Sequence, residues 1–125
     1  MKIIKQIEII DETKIINEAF KRKLSLKGVY ELYALYVDGV AVSIAAIQYK
    51  KDRAILKFEY TPEEYQKKGF HTKLLKYRIE LCKSKGIKKI EANCLKPSLN
   101  NHLKLGAKII KQYKHCGALV RYEDI

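Results

Sequence analysis

One polar loop holds the residues that most clearly point to chemistry. Residues 66–69, with the sequence Gln-Lys-Lys-Gly, directly precede an amphipathic segment that begins at Phe70. The first N–H groups of a helix are unpaired and carry a partial positive charge, so a helix start binds phosphates. The lysines add full charges, and the glycine allows close approach of the backbone. The pattern predicts a phosphate site, although a plain strand-to-helix connection with a turn glycine has the same composition.

The histidines and cysteines do not have the spacing of a metal site, and we predict no bound metal. An odd number of cysteines makes no complete disulfide framework. Each cysteine lies in an apolar stretch, which predicts small buried residues in a reducing compartment. The residues concerned are His71, His102, His115, Cys82, Cys94 and Cys116.

Composition restricts the class of protein. The chain has 125 residues, of which 47% are hydrophobic and 32% charged, and this balance excludes intrinsic disorder. No apolar run approaches the roughly 20 residues of a membrane span. The N-terminus is charged every few residues and lacks the apolar centre of a secretory signal. We therefore expect one domain over residues 1–125, located in the cytoplasm.

The net charge of +12 is uneven along the chain. Residues 63–125 carry 15 basic and 6 acidic side chains, a net charge of +9, against +3 for residues 1–62. Such a half attracts an anionic partner, namely nucleic acid, a phosphorylated cofactor or an acidic protein face, unless it is only a solvated lysine surface. Arginine supplies 4 of the 26 basic residues, and this disfavours nucleic acid, whose contacts favour arginine.

Hydrophobic periodicity and turn residues predict the element order β-α-β-β-β-α-β-α-β-β. The Asp38-Gly39 pair predicts a tight hairpin between the second and third strands. A helix separates the fourth and fifth strands, so these two should be parallel. Strands are predicted over residues 2–10, 29–37, 40–49, 54–61, 87–95, 107–113 and 118–122, and helices over residues 11–23, 70–85 and 98–105.

This order predicts an α/β (α+β) fold with flanking helices. Its sheet is mixed and mostly antiparallel, with one parallel strand pair at its centre. The last two strands form a hairpin, which leaves a sheet edge available for pairing with a second copy of the chain. A homodimer is therefore among the expected partners.

The loop and its surroundings resemble the GNAT acyl-CoA N-acyltransferases. Residues 66–71 are similar to the family signature Gln/Arg-x-x-Gly-x-Gly/Ala, and residues 56–65 to the strand and proline-containing loop that lead into it. Residues 98–107 resemble the family's last helix with its Lys-Leu-Gly ending. The resemblance is specific for residues 54–107, and the predicted element order fits the family from end to end.

Several positions depart from the family pattern. His71 stands at the sixth signature position, where glycine or alanine is usual, and His102 where many members carry a tyrosine that acts as general acid. The stretch from Pro62 to Gly69 is one residue longer than usual. The last helix ends in Gly-Ala rather than Gly-Phe, and the first helical region is short.

The resemblance implies binding of acetyl-CoA as co-substrate. Pantetheine would insert between the fourth and fifth strands, and the pyrophosphate would rest on the N–H groups of residues 66–72. An oxyanion donor would be a backbone N–H near Tyr60. The cofactor-binding residues so implied are Tyr60, Thr61, Gln66, Lys67, Lys68, Gly69, Phe70, His71, Thr72 and Ser98.

The resemblance also implies two catalytic residues. His102 would protonate the departing thiolate, with a partly exposed helix histidine as the alternative. Glu59 would accept a proton from the amine, directly or through water, with a solvent-facing strand glutamate as the alternative. An amine acceptor would need acidic residues in its cleft, for which Glu31, Glu59, Glu63 and Glu64 are the candidates.

The predicted function is transfer of an acetyl group from acetyl-CoA to a primary amine, by direct attack and without a covalent enzyme intermediate. The alternative is a binding or regulatory module of the same shape that has lost turnover and uses its basic half to hold nucleic acid or an acidic protein. Neither reading assigns the protein to a membrane.

Overall fold

The structure is a computed structural model that describes residues 1–114 and 117–123. Within these residues the elements follow the predicted order. Two short 3-10 turns, Ile9–Glu12 and Glu63–Tyr65, add to it. The strands are β1 Lys2–Ile7, β2 Tyr30–Val37, β3 Val40–Tyr49, β4 Ala54–Tyr60, β5 Lys89–Cys94, β6 Lys108–Gln112 and β7 Ala118–Glu123, and the helices are α1 Thr13–Lys21, α2 Phe70–Ser84 and α3 Lys96–Lys104.

All seven of these strands form one sheet in the order β1-β2-β3-β4-β5-β7-β6. The β4–β5 pair is parallel, and the other neighbouring pairs are antiparallel. The α/β fold with a central parallel pair is therefore confirmed. The crossover through α2 explains the parallel pair, because a strand can return in the same direction only after a long connection.

Most elements begin or end one to three residues away from the predicted positions, as in β1, α1 and α3. β1 stops at Ile7, because Glu8 and Asp11 cap a 3-10 turn: the Glu8 N–H donates to the Asp11 carboxylate at 2.8 Å. α1 ends at Lys21 rather than residue 23, where the backbone turns to a positive φ of 64°. α3 starts two residues earlier than predicted, at Lys96.

The core lies on both faces of the sheet. On one face α2 packs Leu74, Leu75 and Cys82 against the strands, and on the other α1 packs Ile15 and Ile16. Burial of apolar area at about 25 cal/mol per Å² makes these two layers the main source of stability. The burial predicted for the cysteines is confirmed for Cys82 and Cys94, whereas Cys116 and His115 lie outside the described residues.

None of the described helices is both long and apolar enough to cross a membrane. In residues 1–114 and 117–123, no group of three or more histidine, cysteine or carboxylate side chains is placed to hold a metal ion. The edge strand β6 is exposed on both faces, including Ile109 and Ile110.

Candidate active site

A bulge interrupts β4 just before the predicted loop. Ile44 of β3 pairs with Tyr60, and Ala46 pairs with Lys57, so β4 has one more residue than its partner across this step. Phe58 adopts a φ of 57°, a left-handed conformation that is strained for a residue with a bulky side chain. Bulges of this kind bend a strand and re-aim its side chains, and they are frequent beside active sites.

The bulge reverses the alternation of side chains along β4. Leu56 packs with the α2 layer, whereas Phe58, two residues later, packs with the α1 layer and meets Phe20 edge to face at 5.3 Å between ring centroids. A regular strand would place both on the same face. Glu59 consequently turns towards α2, where it bonds to Arg78.

The parallel ladder between β4 and β5 is short. It joins residues 54–56 to residues 90–92 and ends at the pair Leu56 and Ala92, although β4 continues to Tyr60 and β5 to Cys94. The backbone N–H and C=O groups of β4 that point towards β5 beyond Leu56 therefore have no ladder partner in β5. Such groups need another hydrogen-bonding partner, either water or a ligand.

The loop after β4 delivers the chain to α2 through two left-handed residues. Lys67 has a φ of 62° and Gly69 a φ of 80°, and the Gln66 side-chain amide donates to the Thr61 carbonyl at 2.9 Å. A Cβ added at Gly69 would meet nothing within 4 Å, so the space in front of the helix is open. Because α2 begins at Phe70, its first N–H groups point into that space.

A pocket of about 170 Å³ lies at this helix start. Seven of the ten residues predicted to bind the cofactor line it. Two further lining residues, Tyr65 and Asn101, were not predicted, and only their position beside the signature and beside His102 marks them in the sequence. The lining consists of Thr61, Tyr65, Gln66, Lys67, Gly69, Phe70, His71, Thr72 and Asn101.

Three predicted cofactor residues lie outside this lining. Lys68 is exposed, and the Ser98 hydroxyl donates to the Leu95 carbonyl at the start of α3. The Tyr60 phenol turns to the α1 side and donates to Glu18 at 3.2 Å. The role predicted for residue 60 concerns its backbone N–H, which this side-chain contact leaves untouched.

Glu59 is held by two basic residues. Its Oε1 accepts from the Arg78 guanidinium at 2.8 Å, and its Oε2 lies 2.8 Å from His71 Nε2. Burial alone would raise the pKa of Glu59, but the charges and hydrogen bonds of Arg78 and His71 outweigh it and hold that pKa well below its usual range. The side chain is therefore a stable carboxylate with little affinity for a proton.

Arg78 is a further site residue that sequence reasoning missed. It is fully buried in the middle of α2, and its Nη1 also donates to the Ala46 carbonyl at 3.0 Å. The available signal was its spacing: it lies four residues after Leu74 and four before Cys82, on the apolar face of the helix. A charge at such a position predicts a buried partner.

His102 is fully buried, which excludes the alternative of a partly exposed helix histidine. Its Nδ1 lies 2.7 Å from the Tyr122 hydroxyl, and its Nε2 has no hydrogen-bond partner among the described residues. Burial lowers the pKa of His102 and raises that of Tyr122, so both groups are neutral near pH 7. An unpaired buried imidazole nitrogen is costly and needs an explanation. His102 does not line the pocket at the start of α2, although its neighbour Asn101 does.

The lowered pKa of His102 predicts a loss of stability on the acid side. As the pH falls below its ordinary value of 6.5, the unfolded chain binds a proton that the buried imidazole resists, so the free energy of unfolding decreases. Glu59 adds to the loss only below its ordinary value of 4.5. Urea unfolding at pH 7 and pH 5 should show a smaller decrease for His102→Asn than for the wild type. An equal decrease in the two proteins would contradict the assignment of this loss of stability to His102.

Comparison of the sequence with family models identifies its family. Residues 7–107 match the model described as the Acetyltransferase (GNAT) family. No curated protein matches the chain at the level required for significance.

Solved structures with the same fold are numerous. The PaiA N-acetyltransferase of Thermoplasma acidophilum, in complex with coenzyme A, is 13% identical with a TM-score of 0.78, covering 98% of this chain and 99% of that one. A GNAT family acetyltransferase of Elizabethkingia anophelis with acetyl-CoA bound is 16% identical with a TM-score of 0.72, covering 98% and 97%. A ribosomal-protein alanine N-acetyltransferase of Escherichia coli is 16% identical with a TM-score of 0.78, covering 98% and 94%. At these identities the likeness shows a shared fold.

Proposed function

Because the chain belongs to the GNAT acetyltransferase family, we propose that it binds acetyl-CoA and transfers the acetyl group to a primary amine. The observation that carries the proposal is the end of the β4–β5 ladder at Leu56 and Ala92, next to the open start of α2. A gap between two strands beside a helix N-terminus offers backbone groups for an extended arm and N–H groups for a phosphate. Acetyl-CoA has both parts.

The phosphates would bind in the pocket at the start of α2. Gln66 and Gly69 line it, and the backbone N–H groups that follow carry the positive end of the helix. Lys67, which also lines the pocket, adds a full charge. The structures with coenzyme A or acetyl-CoA bound in the same fold support this choice of ligand.

The proposed chemistry is direct attack of the amine on the thioester carbonyl. A C–N bond forms and the C–S bond breaks, while the nitrogen loses a proton to water and the sulfur gains one from water. The negative charge that develops on the carbonyl oxygen needs a fixed donor, and we assign that role to the backbone N–H near Tyr60, beyond the bulge. The bulge places this part of β4 beside the gap.

We assign the stabilisation of the departing thiolate to His102. We assign the Tyr122 hydroxyl, which stays protonated, as the donor to Nδ1, and the neutral imidazole then carries its hydrogen on Nε2. That nitrogen is the one without a protein partner. A neutral N–H donates a hydrogen bond to a thiolate without first binding a proton from solvent.

Glu59 is retained as the candidate that handles the amine proton, through water or through its charge. Both of its oxygens are bonded, to Arg78 and to His71, and direct acceptance of a proton would require one of these bonds to break. The geometry therefore supports stabilisation of a neighbouring positive charge more than direct abstraction. The negative charge of Glu59 attracts an acceptor amine that carries a positive charge.

Acidic side chains near the end of β4 suit an amine acceptor. Glu18 bonds to the Tyr60 phenol, and Glu64 lies close enough to raise the pKa of that phenol further. Glu31, a sequence candidate for the cleft, is instead bonded to Tyr33, Tyr49 and Lys85. We propose Glu18 in its place as an acidic residue of the acceptor cleft. We also propose a cytoplasmic location for the protein.

Calorimetry with acetyl-CoA tests the proposed ligand. Acetyl-CoA at 100 times its Kd should stabilise the protein by about 2.7 kcal/mol, and ATP at the same concentration should stabilise it much less. Equal effects of the two would indicate only a basic surface that attracts phosphates, and no effect of acetyl-CoA would refute the proposal.

Release of coenzyme A, followed with a thiol reagent over a panel of small primary amines and peptides with free N-termini, tests turnover. We expect release that depends on one amine class. Binding of acetyl-CoA without amine-dependent release would instead support the non-catalytic binding module, which the occupied oxygens of Glu59 favour.

A further inference from the structure

The buried guanidinium of Arg78 connects the two strands at the β4 bulge. Its Nη1 donates to the Ala46 carbonyl of β3 at 3.0 Å, and its Nη2 donates to the Glu59 carboxylate of β4 at 2.8 Å. Ala46 pairs with Lys57, the last residue before the register shifts, and Glu59 follows the strained Phe58. The guanidinium therefore has one acceptor on each side of the extra residue.

These two hydrogen bonds provide polar partners where the bulge interrupts the ladder. An extra residue disrupts the ladder locally, and the buried polar groups beside it need other partners. Arg78 provides one to the Ala46 carbonyl, and its charge compensates Glu59, whose side chain reaches α2 only because the bulge has reversed the alternation. The left-handed conformation of Phe58 is strained on its own and persists only when its surroundings fix it.

A buried ion pair is an inefficient way to stabilise a fold. Replacing such a pair by apolar side chains of similar size is often neutral or stabilising, while removal of one partner is strongly destabilising. Side-chain exposure is 0% for Arg78 and 19% for Glu59, so most of the desolvation cost applies here. The pair is better explained by the conformation that it specifies than by the stability that it adds.

We propose that Arg78 is a positioning residue for the acetyl-CoA site. It holds β4 in its bulged register, so that β4 and β5 stay apart after Leu56 before any ligand binds. Without it, β4 would return to a regular register, Glu59 would lose its place against α2, and the gap would narrow. The proposal rests on the proposed function for the identity of the ligand. Its claim about the register of β4 does not depend on that function.

The decisive variant removes both charges together. Arg78→Met combined with Glu59→Gln leaves no buried ion uncompensated, so the fold should retain a stability close to that of the wild type. Two single variants accompany it. Glu59→Gln alone keeps an acceptor for the guanidinium but leaves its charge uncompensated, so it should be less stable than the double variant. Ile79→Ala is the control, because it creates a defect in the same helix without touching Ala46 or Glu59.

Two measurements are made on each variant. NMR cross-strand contacts between Ile44 and Tyr60 report the bulged register, and calorimetry reports the Kd for acetyl-CoA. The double variant should lose the Ile44–Tyr60 contact and weaken acetyl-CoA binding by about tenfold or more, because the site is no longer preorganised. Glu59→Gln should keep the contact, because Arg78 still has an acceptor on each strand. The control Ile79→Ala should keep the contact and bind within a small factor of the wild type.

The outcomes separate the two proposals. A wild type that does not bind acetyl-CoA refutes the proposed function, and the NMR contact in the double variant then still decides the role of Arg78. A double variant that keeps the Ile44–Tyr60 contact overturns the proposal. So does a double variant that loses the contact and yet binds acetyl-CoA with the wild-type Kd.

Discussion

Replacing Gly69 with proline should abolish acetyl-CoA binding. Gly69 has a φ of 80°, whereas proline is fixed near −65°, so the turn that starts α2 would have to rebuild. The substitution also removes one backbone N–H from the proposed phosphate site. A charge-assisted hydrogen bond of this kind contributes about 1.5–3 kcal/mol, and with the rebuilt turn we expect a loss of at least about 100-fold in affinity.

Gly86 provides a matched control at the other end of α2. It has a φ of 77°, open space around its Cα, and an N–H that bonds to the Lys83 carbonyl, so proline there imposes a comparable strain. Circular dichroism should show both variants folded, and only Gly69→Pro should fail to bind in calorimetry. If neither proline variant folds, the pair Gly69→Ala and Gly86→Ala is compared in the same way. Equal affinities within either pair would refute the phosphate site.

Replacing His102 with asparagine should lower kcat by about 100-fold, the lower end of the range for removing one fixed hydrogen-bond donor to developing negative charge. The asparagine amide occupies the place of Nδ1 and keeps a partner for Tyr122, while the group at Nε2 disappears. Acetyl-CoA affinity should be nearly unchanged, because the side chain meets the sulfur only as charge develops there. Release of coenzyme A to the acceptor found in the amine panel measures the effect.

Two further variants at residue 102 check the assignment. His102→Gln extends an amide to the position of Nε2 and should retain more activity than His102→Asn. His102→Tyr should keep a measurable fraction, provided that the phenol reaches the sulfur. Wild-type kcat in His102→Asn would contradict the role of His102 and transfer it to water or to Tyr113, whose hydroxyl bonds to the Asn93 side chain.

The sequence was sufficient for the element order because that order depends on local signals. The Asp38-Gly39 pair fits a tight hairpin at its φ angles of 50° and 84°, and the polar loop before Phe70 gave the start of α2. The parallel pair followed from the intervening helix alone. These features depend on residues close to each other in the chain, which pattern reasoning captures.

The pocket lining followed largely from the local signature, but the partners of Glu59 and His102 depend on contacts between distant residues, which pattern reasoning does not supply. Regular alternation along β4 would place Phe58 beside Leu56, and the bulge that separates them leaves no mark in composition. The burial of Arg78 and the partners of Glu59 follow from that bulge. His102 was identified by resemblance to the family, but its burial and its bond to Tyr122 depend on β7, 20 residues further along the chain.

A crystal structure of the protein with acetyl-CoA is the most direct test of the central claim. We expect the diphosphate on the backbone N–H groups of residues 66–72, the pantetheine arm along β4 after Leu56, and the thioester sulfur within reach of His102 Nε2. Acetyl-CoA bound elsewhere on the basic surface, with β4 and β5 paired beyond Leu56 and Ala92, would contradict it.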